Sequence, residues 1–110
     1  MRILVINPNS DQETEVLLRE TAEKFVQKRF DFDVVSMKTA PKLVVSYEDQ
    51  YASAAELAQT IRSGLDQYDA FILACHADPN YELAKEAAQG KPVFGIAEAS
   101  MHMAAMKNGG

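Results

Sequence analysis

The chain has 110 residues, 47% of them apolar and 25% charged, with a formal net charge of −5. That length suits a single domain, residues 1–110, with one core. The acidic balance and the lack of any basic run exclude a nucleic-acid surface, and no apolar run approaches the ~20 residues of a membrane span.

The first element is "RILVI" (2–6), a continuous apolar run of strand length that reads as a strand buried on both faces. In the following "NPNSDQE", Ser10 with Glu13 three residues later forms a capping-box pattern. Leu17, Thr21 and Phe25, and likewise Leu18, Ala22 and Val26, recur at helical spacing, so a helix is expected over roughly 10–28. "FDFDVVSM" (30–37) predicts a second strand, nearer an edge. The irregular "KTAPKLVVSYEDQYASA" leaves room for a short extended segment at 43–45. Ala54, Leu57, Ala58, Ile61 and Leu65 then mark a helix over 49–66, with Gly64 weakening its last turn. "DAFILA" (69–74) predicts a third strand. Asp78 suits an N-cap and Pro79 a first helical position, giving a helix over 79–88 that stops at Gly90. "KPVFGIA" (91–97) predicts a fourth strand, and a helix over 98–106 ends at the stop signal Asn108-Gly109-Gly110.

Strict strand–helix alternation implies an α/β fold with a parallel sheet, helices on both faces and right-handed crossovers. Four strands suit a flavodoxin-like three-layer α/β/α sheet of order 2-1-3-4. Ligands of such sheets bind beyond the carboxyl ends of the strands, where the strand order reverses. Here that point lies between the first and third strands, at loops 7–10 and 75–78, and the fourth strand delivers Glu98–Ser100 to the same rim.

Cys75 is the sole cysteine, which rules out an internal disulfide and makes a reducing, cytoplasmic home the default. A free cysteine is usually a small buried hydrophobe, but a thiol just before a helix N-terminus has a lowered pKa and so a larger thiolate fraction. Its neighbour His76 reads equally as a site residue or as a solvated side chain. Ser10 and Asp78 are explained as caps, Asn7 and Asn9 as turn formers, and His102 as a packing residue among methionines. No GxGxxG, GxxxxGK[ST], CxxC or HxxxH occurs, so neither a nucleotide-phosphate loop nor a structural metal is expected.

Three stretches in this order, "MRILVINPNSD", "YDAFILACHADPN" and "KPVFGIAEAS", resemble the aspartate/glutamate/hydantoin racemase superfamily, nearest its hydantoin and allantoin racemases. The resemblance covers nearly the whole chain. It implies a cofactor-independent racemase in which two flavodoxin-like halves face each other across a pseudo-dyad. One cysteine from each half acts on the substrate α-carbon: one thiolate removes the proton and the other thiol returns one to the opposite face. Backbone N–H groups at helix N-termini would steady the developing carbonyl charge.

Residue by residue, Cys75 matches the catalytic cysteine of the first half in the pattern AC-x-x-DP. Asn7 and Ser10 match the NPNS/T loop that holds the polar groups of the substrate, and Asp78-Pro79 the helix-starting DP. Glu98, Ala99 and Ser100 match a strand end near the pocket, Ser46 falls on a loop that reaches the site, and His76 is counted with the substrate-binding group. Family members run to about twice this length, so the chain corresponds to an N-terminal half with one half-site. Its partners would be a small-molecule substrate (hydantoin, allantoin or an amino acid) and either a missing C-terminal half or a second copy forming a homodimeric site. A non-catalytic small-acid-binding domain is the alternative.

Overall fold

The computed structural model describes residues 1–26, 29–44, 46–74 and 80–95. The chain runs β1 (Arg2–Asn7), α1 (Gln12–Val26), β2 (Asp31–Ser36), α2 (Tyr47–Ala52), α3 (Ala54–Ser63), β3 (Ala70–Leu73), α4 (Tyr81–Ala87) and β4 (Val93–Gly95). All three pairings are parallel, and the strand order is β2-β1-β3-β4, as the alternation predicts. β1 is buried from Ile3 to Asn7 because it is paired on both sides, with β2 from Arg2↔Asp31 to Asn7↔Ser36 and with β3 from Ile3↔Ala70 to Ile6↔Leu73.

Alternating side chains of β1 supply two core layers. Leu4 and Ile6 join Phe71, Leu73, Leu57, Ile61, Ala84 and Ala87 on the side covered by α3 and α4. Ile3 and Val5 join Val34, Ala70 and Leu18 on the side covered by α1. Each fully buried Leu, Ile or Phe contributes about 2 kcal/mol of transfer free energy. Of the two α1 stripes that the spacing offers, Leu18 of one packs against the core, whereas Leu17 of the other is 62% exposed.

Four expectations about the elements are corrected. The helix foreseen over 49–66 is two helices, parted at Ser53 (φ −107°, ψ 8°). The apolar stripe Leu57, Ala58 and Ile61 commits α3 to the sheet, while α2 buries no residue and starts earlier, at Tyr47. Gly64 is the C-cap of α3 rather than part of its last turn. The helix after β3 begins at Tyr81, two residues later than expected, behind Asn80 in the left-handed region. Leu43 and Val44 form no strand; Val45 and the helix expected over 98–106 lie outside the described residues.

At the amino end of the sheet, Asp33 Oδ2 accepts from Tyr68 Oη (2.6 Å), Arg2 Nη2 (3.0 Å) and Arg2 Nε (3.2 Å). These contacts clip β1, β2 and the turn before β3 together. The Tyr68 hydroxyl, with help from Arg2, holds the Asp33 carboxyl below its ordinary range against the opposing effect of burial. Burial first, and Asp33 second, push the Tyr68 hydroxyl up.

Candidate functional site

Asn7, Ser36, Leu73 and Gly95 end the four strands at the same edge, so the loops that follow share one rim. Asn7 is fully buried at that edge and is the hub of its first loop. Its Nδ2 donates to Asn9 Oδ1 (2.8 Å), Ser36 Oγ (3.1 Å) and the Asp11 carbonyl (3.3 Å). Its Oδ1 accepts the Asn9 N–H at 3.4 Å. A buried amide must be paired, and this one is paired on both ends. Asn9 Oδ1 also accepts the Asp11 N–H (2.9 Å), an Asx turn that delays the start of α1.

That delay moves the cap. The carboxylate that serves the N-terminus of α1 is Asp11, accepting from Glu13 N–H (3.3 Å) and Thr14 Oγ1 (2.8 Å). Ser10 is not the N-cap that its spacing from Glu13 predicts; its backbone N–H donates to the Pro41 carbonyl at 3.1 Å. Ser10 instead borders a depression of about 380 Å³ with Gln12, Glu15, Val35, Ser36 and Lys38.

The loop after β2 is stitched to this first loop and to α3. The Met37 N–H is shared by the carbonyls of Asn7 (3.1 Å) and Asn9 (3.2 Å). The Glu56 carboxylate accepts from Lys38 N–H (3.1 Å), Thr39 N–H (2.8 Å) and Thr39 Oγ1 (2.7 Å). Burial opposes ionisation of Glu56, but the Thr39 and Lys38 donors outweigh it and hold the carboxyl below its ordinary range. Ser46, at the end of this loop, caps α2: its Oγ accepts the Asp49 N–H (3.1 Å) while Asp49 Oδ2 accepts the Ser46 N–H (3.1 Å). The signal S-x-x-D was present in the sequence and marks the true start of α2.

The third strand reaches the rim with Ala74, whose N–H donates to the Ile6 carbonyl (2.9 Å). Six residues later Asn80 Nδ2 donates to the Gln50 carbonyl of α2 (2.8 Å). Cys75, His76, Asp78 and Pro79 fall between these points, outside the described residues, as do Glu98, Ala99, Ser100 and His102. Asn7 and Ser10 thus lie at this rim, and Ser46 caps α2 at the far end of the loop after β2. Asn9, Ser36, Glu56 and Asn80, which sequence reasoning did not single out as site residues, hold that rim together. Among the described residues no group of three or more His, Cys, Asp or Glu could hold a metal ion, and no helix is long and apolar enough to cross a membrane.

Residues 3–110 match the family model described as Asp/Glu/Hydantoin racemase. The chain is 36% identical over 107 residues to a hydantoin racemase of Pseudomonas sp. (strain NS671), covering 96% of this chain and 43% of that protein. It is 30% identical over 105 residues to a hydantoin racemase of Paenarthrobacter aurescens, covering 94% of this chain and 44% of that protein. Its fold superposes on the solved allantoin racemase from Klebsiella pneumoniae with a TM-score of 0.84 and 34% identity, over 96% of this chain and 43% of that one. The chain therefore spans less than half the length of these relatives. The matched region covers all four strands and the loops between them, and on that ground the chain belongs to the Asp/Glu/hydantoin racemase family.

Proposed function

We propose that this chain supplies one half of a cofactor-independent racemase site. Cys75 is its acid–base thiol, and the substrate is a hydantoin, allantoin or amino acid bearing an acidic α-hydrogen. The observation that carries the reading is the similarity to hydantoin racemases along nearly the whole chain, 36% identity over 107 residues in one case. The first loop and the loop after β2, joined at the carboxyl ends of β1 and β2, support it.

Inverting a carbon by proton transfer needs a base on one face and an acid on the other, each within hydrogen-bond reach. In the forward half-reaction the Cys75 thiolate takes the α-proton, the bonding pair moves into the adjacent carbonyl, and a second thiol donates a proton to the opposite face. The carbanion is neutralised, and the two thiols exchange protonation states. Cys75 is the single cysteine in 110 residues, so the second thiol comes from the other half of a relative-length protein or from a second copy of this chain. Asn7 builds the loop that presents Ser10 to the polar groups of the substrate. His76, Glu98, Ser100 and Ser46 complete the substrate-binding set. A reducing, cytoplasmic setting goes with this reading, since a reactive thiol must stay reduced.

The test joins the 110 residues to the carboxyl-terminal remainder of the Pseudomonas sp. hydantoin racemase and follows loss of optical rotation of a 5-substituted hydantoin. The fusion is expected to racemise, and Cys75→Ala to abolish the activity without changing the melting temperature. A folded Cys75→Ala fusion that racemises at the unaltered rate removes Cys75 from the mechanism. For the 110-residue chain alone, a racemisation rate rising with the square of chain concentration assigns the second thiol to a second copy.

A further inference from the structure

We infer that Glu56 is a positioning residue for Ser10: its carboxylate fixes the turn after β2, and that turn sets the place of the Ser10 backbone. The inference rests on the reading of Ser10 as a substrate-binding residue and adds the group that holds it.

The sequence around Glu56 suggests a different task. Ser53-Ala54-Ala55-Glu56 is an S-x-x-E pattern at the start of α3, the signature of a capping box. In such a box the glutamate reaches back to the serine N–H, and the serine hydroxyl accepts from the glutamate N–H. Here the Ser53 side chain makes no cap hydrogen bond, and the Ser53 N–H donates to the Tyr51 carbonyl. Both Glu56 oxygens are taken by another segment. Oε1 accepts from the N–H (2.8 Å) and Oγ1 (2.7 Å) of Thr39, and Oε2 from the Lys38 N–H (3.1 Å). Bonds to a carboxylate are charge-assisted and stronger than neutral ones. Their base is firm, because Leu57, Ala58 and Ile61 pack α3 into the core.

The segment so held is bonded in turn to the first loop. The Met37 N–H is shared by the carbonyls of Asn7 and Asn9. The Ala40 N–H donates to the Met37 carbonyl (3.2 Å), closing residues 37–40 into a turn. The next residue, Pro41, accepts the Ser10 N–H at 3.1 Å. Glu56 therefore grips the turn at its two middle residues, and the first loop meets it at 37 and 41. Asp11 rather than Ser10 serves the N-terminus of α1, so the Ser10 N–H is placed by Pro41 and not by a cap. Ser10 and Lys38 border the same depression, so a shift of the turn moves one wall and the hydrogen-bond partner of the other.

Two measurements test this. In the 110-residue chain, deuterium exchange of the Ser10 amide reads the brace directly. Glu56→Ala is expected to melt cooperatively and to exchange that amide about tenfold faster, through local opening of the turn. In the racemase fusion described above, KM and kcat are measured for Glu56→Ala, Ser10→Ala and the double variant. Each single substitution is expected to raise KM by about three- to tenfold with little change in kcat. The double variant should match Ser10→Ala, because Glu56 acts through Ser10.

Unchanged exchange of the Ser10 amide in Glu56→Ala overturns the inference, as does an unaltered KM in that variant. Effects that multiply in the double variant make Glu56 a merely structural residue and also overturn it. All three outcomes leave the role of Ser10 standing. A Ser10→Ala fusion with the unaltered KM overturns that role and the inference together, and so does a folded fusion that does not racemise. Where Glu56→Ala does not melt cooperatively, Glu56→Gln, which keeps one acceptor oxygen for Thr39, takes its place in both measurements. Loss of cooperative melting in both variants confines Glu56 to stability and overturns the inference.

Discussion

Asn7 and Ser36 close the β1–β2 pairing at its carboxyl end: they are register partners, and Asn7 Nδ2 donates to Ser36 Oγ at 3.1 Å. The amide also carries the first loop, so one buried side chain links two of the segments that border the rim. Removing it leaves Asn9 and the Asp11 carbonyl short of a donor inside the protein. Asn7→Ala is expected to cost about 2 kcal/mol, the penalty of stranding buried polar groups. Asn7→Asp should cost at least as much at neutral pH, because a carboxylate would face the same three oxygens. Urea unfolding of the two variants checks this; an Asp variant as stable as the unaltered chain would refute the hub role.

Acid sensitivity follows from Asp33 and Glu56. Both carboxyls are held below their ordinary range when folded. Their stabilising contributions are therefore complete above the unfolded carboxylate value of about 4 and are lost as pH falls through the folded values. Asp33 is 40% exposed, so its share is modest. Asp33→Asn and Glu56→Gln should each flatten the fall of unfolding free energy between about pH 5 and about pH 2, and the double variant should flatten it further. Tyr68→Phe should weaken the Asp33 component alone. An unchanged slope in Asp33→Asn would contradict the assignment.

Gly64 is where the Tyr68 ring comes closest to the end of α3. A Cβ there would stand 2.9 Å from Tyr68 Cδ2, and the ring is tethered by its hydroxyl to Asp33. Gly64→Ala is expected to destabilise by about 1 kcal/mol through this overlap, although at the negative φ of Gly64 (−96°) alanine would otherwise lose less backbone entropy on folding than glycine. In the Tyr68→Ala background the same substitution should become neutral or stabilising. A double-mutant cycle with no coupling would place the cost elsewhere.

Ser46 has a structural task and a proposed substrate-binding one, and these separate experimentally. Ser46→Ala and Asp49→Ala each break the capping box and should each cost about 1 kcal/mol. Only Ser46→Ala removes the hydroxyl. In the racemase fusion, a KM raised by Ser46→Ala but not by Asp49→Ala is the expected result. Equal KM values in the two variants would confine Ser46 to capping.

The strands and their order were legible in the sequence because burial on both faces requires continuous apolar runs, and "RILVI" and "FILA" carry them, while the short "PVFG" run marks a strand whose Phe94 stays 38% exposed. The shared rim of the strand ends was legible for a related reason, since alternation of strand and helix sends the carboxyl ends of parallel strands to one edge. What escaped local reading depended on partners distant in sequence or on competition between neighbouring caps. Ser10 and Asp11 are both good N-caps, and the Asx turn made by Asn9 decides for Asp11. The break at Ser53 is decided by which residues meet the sheet: Leu57 and Ile61 do, and Tyr47 and Tyr51 stay exposed. The bonds Asn7–Ser36 and Asn80–Gln50 span 29 and 30 residues. A side-chain amide carries no sign of its partner in the linear sequence. Only the folded sheet, by bringing two strand ends and two helices to the same rim, determines which carbonyl or hydroxyl it meets.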